Sequence, residues 1–107
     1  MKKVVFYCQH LLGIGHVSRS LSIVSELAND FAVTYVQGGP PVPREPAAGV
    51  RKIQLAPLLM RESDSSLYDP EEKRSVEEIF SERAGQLGAL ASERFDFAII
   101  ELYPFGR

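Results

Sequence analysis

The sequence predicts an α/β protein built on a partial doubly wound, Rossmann-like parallel sheet. Three observations support this fold class. Several apolar, β-branched runs do not alternate with polar residues, as in strands buried on both faces. Stretches with the 3.6-residue period of an amphipathic helix lie between such runs. The resulting order, strand-helix-strand-strand-helix-strand, favours parallel pairing with right-handed crossovers. We expect about four strands in the spatial order 3-2-1-4, with helices on both faces.

The first half of the chain reads as one strand-helix-strand unit. Residues 3–8, KVVFYC, form the first predicted strand, and residues 31–37, FAVTYVQ, form the second. Between them, residues 16–29 have the spacing of an amphipathic helix. Its apolar stripe comprises Val17, Leu21, Val24, Leu27 and Ala28.

The middle of the chain contains a loop and a short strand. Residues 38–49, GGPPVPREPAAG, contain four prolines and three glycines, a composition incompatible with a helix or a central strand. Residues 50–55, VRKIQL, read as the third strand, and we expect irregular structure from there to Tyr68.

The last third of the chain predicts a helix and a fourth strand. Asp69 is a candidate N-cap, Pro70 suits the first helical position, and Glu72 has the spacing of a capping box. Residues 95–102, FDFAIIEL, form the fourth strand, whose centre from Ala98 to Ile100 is expected to be buried on both faces. The apolar stripe of the helix comprises Val76, Ile79, Phe80, Leu87, Leu90 and Ala91.

Composition narrows the function classes. The formal net charge of −2 provides no basic field for nucleic acid, so a nucleic-acid partner is not expected. Cys8 is the only cysteine, which excludes an intramolecular disulfide and a multi-cysteine zinc site. We expect it to be a buried small side chain in a cytoplasmic protein, since no secretory signal pattern is present and no apolar run approaches the ~18–20 residues of a membrane span.

The chain of 107 residues reads as a single domain, 1–107, and as the first half of a larger one. A doubly wound sheet normally continues past its fourth strand. We therefore expect the fourth strand to present an unpaired apolar edge and the chain to self-associate, either by antiparallel pairing of this strand with its copy in a two-fold dimer or by packing of the surface that further helices would cover. The residues expected at that contact are Phe97, Ala98, Ile99 and Ile100.

A glycine-containing turn, HLLGIGHVSRS, lies between the first strand and the first helix. In an open parallel sheet this position is at the carboxyl ends of the strands, where helix N-termini favour anions such as phosphate. A dinucleotide-binding fingerprint is disfavoured, because its third glycine position holds Ser18 and the second strand ends in Gln37-Gly38-Gly39 rather than an acidic residue. A P-loop is excluded, because no Gly-Lys-Ser/Thr follows the turn.

GIGHVSRSLSIVSEL resembles the glycine-rich loop that opens the N-terminal domain of GT-B-fold glycosyltransferases. It is most similar to the MurG-like group, which contains the bacterial UDP-N-acetylglucosamine transferase of peptidoglycan synthesis and has G-x-G-G-H there. This chain has Ile14-Gly15-His16 instead, one glycine fewer. YCQHLLGIGH, GGPP and IELYPFGR also resemble bacterial proteins identified as glycosyltransferases from sequence.

The resemblance implies a two-domain enzyme that moves a sugar from a nucleotide-sugar donor to an acceptor hydroxyl. The acceptor, a small molecule or a lipid-linked one, would bind this N-terminal part. The nucleotide sugar, a substrate rather than a cofactor, would bind a C-terminal domain that this chain lacks, so the chain alone should be inactive. The resemblance implies no metal, and it allows a membrane-peripheral location for the full-length protein.

The resemblance also assigns site residues. His16 matches the family histidine proposed as catalytic base, and Glu101, at the end of the fourth strand, would orient its imidazole. Gly13, Ile14 and Gly15 would let the backbone approach the ligand. Two further candidate ligand contacts come from position and not from the resemblance. His10 lies near the turn without a match to the family motif, and Arg19 follows His16 by three helical positions, where its guanidinium could meet a phosphate.

A different class of function fits the same turn. A non-catalytic α/β module could use these amides and the helix N-terminus to bind a nucleotide or another anion. A second glycine-rich strand-helix unit in a longer reading frame would favour the enzyme.

Overall fold

The computed structural model describes residues 1–9, 15–39, 45–60, 63 and 66–102. The side chains of residues 15, 16, 60 and 102 lie outside that description. The described elements are β1 (Lys3–Gln9), α1 (Gly15–Leu27), β2 (Ala32–Gln37), β3 (Arg51–Gln54), β4 (Leu59–Met60), β5 (Leu67–Tyr68), α2 (Val76–Ala91) and β6 (Phe97–Leu102).

Four of the strands form an all-parallel sheet in the order β3-β2-β1-β6. This is the predicted order 3-2-1-4, with β6 as the fourth predicted strand, and it confirms the partial Rossmann-like fold. The order reverses between β1 and β6, so the crevice expected at a topological switch point lies at the carboxyl ends of these two strands.

The two helices pack on opposite faces of the sheet, as predicted. Val4, Phe6 and Cys8 alternate along β1 toward α1, where they form the larger core cluster with its buried residues. Val5 and Tyr7 point the other way, into a cluster with Leu90 of α2. The buried residues that α1 contributes to its face of the sheet are Val17, Leu21 and Val24.

The predicted start of the second helix is wrong. Its N-cap is Ser75, whose hydroxyl accepts from the backbone N–H of Glu78 while the Glu78 carboxylate accepts from the N–H of Ser75. Asp69 instead caps a preceding turn, accepting backbone N–H bonds from residues 71, 73 and 74, and Glu72 has a φ of 57°, outside helical geometry. The sequence contains two capping patterns close together. The buried Asp69 carboxylate accepts its hydrogen bonds within the preceding turn, so Ser75 is the residue that caps the helix.

The predicted apolar stripe of this helix is only partly correct. Ile79 and Leu90 are buried, whereas Phe80 and Leu87 are 49% and 38% exposed. The side of α2 that faces the rest of the protein also contains Arg83, which is buried, and its neighbour one turn along, Gln86. The buried face of α2 therefore differs from its apolar stripe, because that face also contains polar residues.

Two further differences concern strands. The segment expected to be irregular up to Tyr68 contains a short antiparallel pair, β4 with β5. The centre of β6 is not buried on both faces as expected, because Ile99 and Ile100 are 37% and 64% exposed. In the described part of the chain β6 pairs only with β1, so nothing covers its outer side.

No described helix combines the length and apolar character that crossing a membrane requires.

Candidate functional site

A row of polar side chains crosses the sheet near the carboxyl ends of its strands. The register aligns Gln54 of β3 with Gln37 of β2, Gln37 with Cys8 of β1, and Cys8 with Glu101 of β6. Neighbouring residues at the same level of a parallel sheet point to the same face. The polar row, Gln54, Gln37, Cys8 and Glu101, therefore lies on the face that α1 covers.

Hydrogen bonds fix the amide half of the polar row. The Tyr35 hydroxyl donates to Oε1 of Gln37 over 3.3 Å, and Nε2 of Gln37 donates to Oε1 of Gln54 over 3.1 Å. Nε2 of Gln54 in turn donates to the Gly39 carbonyl over 2.7 Å, at the start of the loop that follows β2. Gln37 and Tyr35 are completely buried, so these hydrogen bonds hold the side chains in place near the carboxyl ends of β2 and β3.

The Glu101 carboxylate ends the polar row at the switch point. Glu101 and Gln54, at the two ends of the row, are partly exposed, whereas Cys8 and Gln37 between them are buried, so Glu101 is the charged member of the row that solvent and a ligand can reach. Burial raises the pKa of the Cys8 thiol, the nearby Ser20 and Tyr35 hydroxyls partly offset that rise, and the Glu101 carboxylate adds to it. Burial also raises the pKa of Tyr35, with smaller contributions from Cys8 and Glu101. The carboxylate therefore acts electrostatically on the groups beneath α1.

Helix α1 brings its amino end to the same edge and face as Glu101. It begins at Gly15, and no acidic side chain in its first turn neutralises the positive end of the helix dipole. His16 is the second residue of the helix and lies one turn before Ser20. Ser20 is fully buried against the sheet, and its hydroxyl makes no well-formed hydrogen bond with any described group.

A second polar cluster lies at the same edge on the other face, around Arg83 of α2. Its guanidinium donates to the Ala56 carbonyl over 2.7 Å, to Oε1 of Gln9 over 2.7 Å and to the Tyr7 hydroxyl over 3.2 Å. It also donates to the Gly38 carbonyl. Arg83 is 93% buried, and burial lowers its pKa. The Arg83 cluster joins α2 to the ends of β1, β2 and β3 with neutral oxygens as acceptors.

Gly38 is required by the Arg83 cluster. A Cβ at this position would lie 2.8 Å from Cδ of Gln9 and 3.1 Å from Nη2 of Arg83, and would also clash with Oε1 of Gln9. The absence of a side chain lets the guanidinium reach the backbone where the chain leaves β2. The first glycine of the Gly-Gly pair after β2 thus allows this contact, which the sequence alone did not indicate.

The predicted site residues divide into three groups. Glu101 and the backbone of Gly15 and His16 lie at one edge and face of the sheet, as the hypothesis requires, and Arg19 is exposed on α1. The His16 side chain lies outside the described residues, so its contact with Glu101 stays a prediction. Three more predicted contacts also lie outside them. They are His10, Gly13 and Ile14.

The sequence patterns did not lead us to expect the glutamine amides or Arg83 at this edge of the sheet. Gln9, Gln37, Gln54 and Glu101 are all polar residues in the last part of an apolar or β-branched run, and this recurrence could have indicated a shared polar edge. Nothing comparable marks Arg83, which looks like an ordinary surface residue of a helix.

Within the described residues, no group of three or more histidine, cysteine, aspartate or glutamate side chains could hold a metal ion. Comparisons with protein-family models, with curated proteins and with solved structures find no match to this chain.

Proposed function

We propose that this chain is the acceptor-binding part of a GT-B-type glycosyltransferase. One observation supports the proposal above the others: the Glu101 carboxylate and the amino end of α1 lie on the same face and edge of the sheet, at the switch point. A carboxylate there can orient a histidine that removes a proton from an acceptor hydroxyl.

In this mechanism His16 is the base and Glu101 is its positioning partner. The imidazole accepts the proton of the acceptor hydroxyl as that oxygen attacks the anomeric carbon of the donor sugar, and the nucleoside diphosphate leaves with the bonding electron pair. The carboxylate fixes the tautomer and stabilises the imidazolium that forms. The positive end of α1 favours a negatively charged group on the ligand. We place the protein in the cytoplasm, where nucleotide sugars serve as donors and a single buried thiol stays reduced.

The experiment is a transfer assay on the complete gene product with nucleotide-sugar donors and an acceptor mixture. His16→Ala should lower turnover by roughly 10²–10⁴-fold, the usual contribution of a positioned base. Glu101→Gln should lower it less and should shift the acidic limb of the pH-rate profile to lower pH, because an amide stabilises the imidazolium less than a carboxylate does. Glu26→Gln, which removes an exposed carboxylate on α1 two residues after the buried Val24, is the matched control and should leave turnover unchanged. Unchanged turnover in His16→Ala would remove His16 from the mechanism.

A non-catalytic anion-binding module is the second candidate, and the acid-free first turn of α1 is the observation that favours it. An NMR titration with inorganic phosphate and with UDP tests it. Amide shifts in residues 15–19 with millimolar affinity, together with no sugar transfer by the complete gene product, would support the module over the enzyme. Shifts clustered elsewhere would count against an anion site at α1 in either function.

A further inference from the structure

Among the described residues β6 has a strand on one side only, and its outer edge differs from the opposite edge of the same sheet. At β3, Arg51 pairs with Glu93 over 2.9 Å and Lys52 pairs with Glu45 over 3.0 Å, so charged side chains line that edge. Charges of this kind protect an edge strand from pairing with another chain. The β6 edge has the sequence FAIIEL and contains one charge, Glu101, near its end.

The side chains of β6 are apolar and exposed on both faces. Phe97 and Ile99 lie on the α1 face and are 51% and 37% exposed, while Ile100, on the α2 face, is 64% exposed. Beside Ile100, an apolar cleft of about 530 Å³ separates β6 from α2. Phe97 is held in place by an edge-to-face contact with Phe31, with ring centroids 6.2 Å apart.

We propose that the β6 edge is a dimerisation site for a second copy of this chain. An occupant must satisfy a row of backbone N–H and C=O groups as well as cover apolar side chains, which another β-strand does and a lipid or a packed helix does not. The charged β3 edge is a poor partner, whereas β6 matches itself. Pairing β6 with β6 about a two-fold axis gives a closed, isologous dimer with one continuous sheet.

Symmetry, strand overlap and charge together select the register. Pairing the largest number of β6 residues allows a centre at Ile99 or at Ile100, and the Ile100 centre would bring the two Glu101 residues to within two positions of each other. Strands related by a two-fold axis normal to the sheet are antiparallel, and residues directly opposite each other must point to the same face. Centring the pairing on Ile99 places Ile99 opposite Ile99, Ala98 opposite Ile100, and Phe97 opposite Glu101. The two Glu101 residues are then four positions apart, about 13 Å along the strands at ~3.3 Å per residue, which exceeds the Debye length of about 10 Å at 0.1 M salt.

Sedimentation of the chain at ~100 μM tests the proposal, and we expect the mass of a dimer. Ile100→Lys should give a monomer because it places a charge beside the paired edge. Ile23→Lys is the matched control, since Ile23 is a 40% exposed isoleucine on α1, and it should remain a dimer. Circular dichroism of each variant establishes that the fold is intact. A monomeric wild type, a mass above that of a dimer, or a dimer that survives Ile100→Lys would overturn the proposal.

Cross-linking tests the register without depending on the charge variants. Ile99→Cys should form a disulfide-linked dimer on mild oxidation, since directly opposite β-carbons come close to the separation that a disulfide needs. Ile23→Cys should not, and the native Cys8 is buried and should not cross-link. Failure of Ile99→Cys to cross-link in a sample that sediments as a dimer would overturn the proposed pairing.

Discussion

Replacing Arg83 with methionine should destabilise the fold by about 2–4 kcal/mol. Hydrogen bonds from a charged donor contribute ~1.5–3 kcal/mol each, and four acceptors lose one. Part of that loss is offset, because the methionine variant no longer has the cost of several kcal/mol for taking a guanidinium out of water. Two of the acceptors retain other donors, because the Gly38 carbonyl also accepts from the N–H of Leu58 and Oε1 of Gln9 also accepts from the Tyr7 hydroxyl. The largest remaining cost is the Ala56 carbonyl, an unsatisfied buried acceptor costing ~1–3 kcal/mol.

Urea or thermal unfolding monitored by circular dichroism measures this difference. For a domain of this size 1 kcal/mol corresponds to about 4–8 °C in Tm, so the effect is well above error. Arg83→Lys should recover only part of the stability, since an ammonium cannot match the planar fork that reaches four oxygens. Arg94→Met, at an exposed arginine just before β6, should change stability by no more than about 0.5 kcal/mol. An Arg83→Met protein as stable as the wild type would show that the cluster contributes no net stability.

Three further predictions test other parts of the structure. Gly38→Ala should lower the free energy of unfolding by ~1–3 kcal/mol, because the new Cβ displaces Gln9 and Arg83. Gly85→Ala, with open space around its Cβ position in α2, should raise it by ~0.5–1 kcal/mol, and equal effects would contradict the close approach at Gly38. Backbone N–H bonds lower the pKa of Asp69, so the stability it contributes should be present at neutral pH and should fade as the pH drops below the ordinary aspartate value of ~3.9. The free energy of unfolding, measured against pH, should fall less steeply in Asp69→Asn than in the wild type, and parallel curves for the two proteins would refute this role. Cys8 should react with a thiol reagent at pH 8 far more slowly in the folded protein than in urea, since burial raises its pKa; equal rates would show that the thiol is accessible.

Sequence pattern was sufficient for the parallel sheet. Continuous apolar runs such as 3–8 are typical of central strands, and one helix-length segment between two of them leaves only a parallel crossover. The order 3-2-1-4 could be predicted without a structure because it is the order of the first four strands in a doubly wound sheet with right-handed crossovers. The helix boundary at Asp69 could not, because two local capping patterns compete and only the turn geometry shows which one the backbone uses.

The amino-acid sequence alone was enough to predict the four strands of the parallel sheet, the glycine turn before α1 and the position of Glu101 near the end of the last strand, although it missed the short β4–β5 pair. Which polar groups meet depends on the packing of segments that are far apart in the chain. The polar row exists because the strand register places Gln54, Gln37, Cys8 and Glu101 at one level, and register depends on pairing between segments far apart in the chain. Arg83 can be buried because its guanidinium reaches carbonyl and side-chain oxygens at the ends of three strands, which compensate for the loss of water. Hydrophobic periodicity contains no information about acceptors that other elements supply.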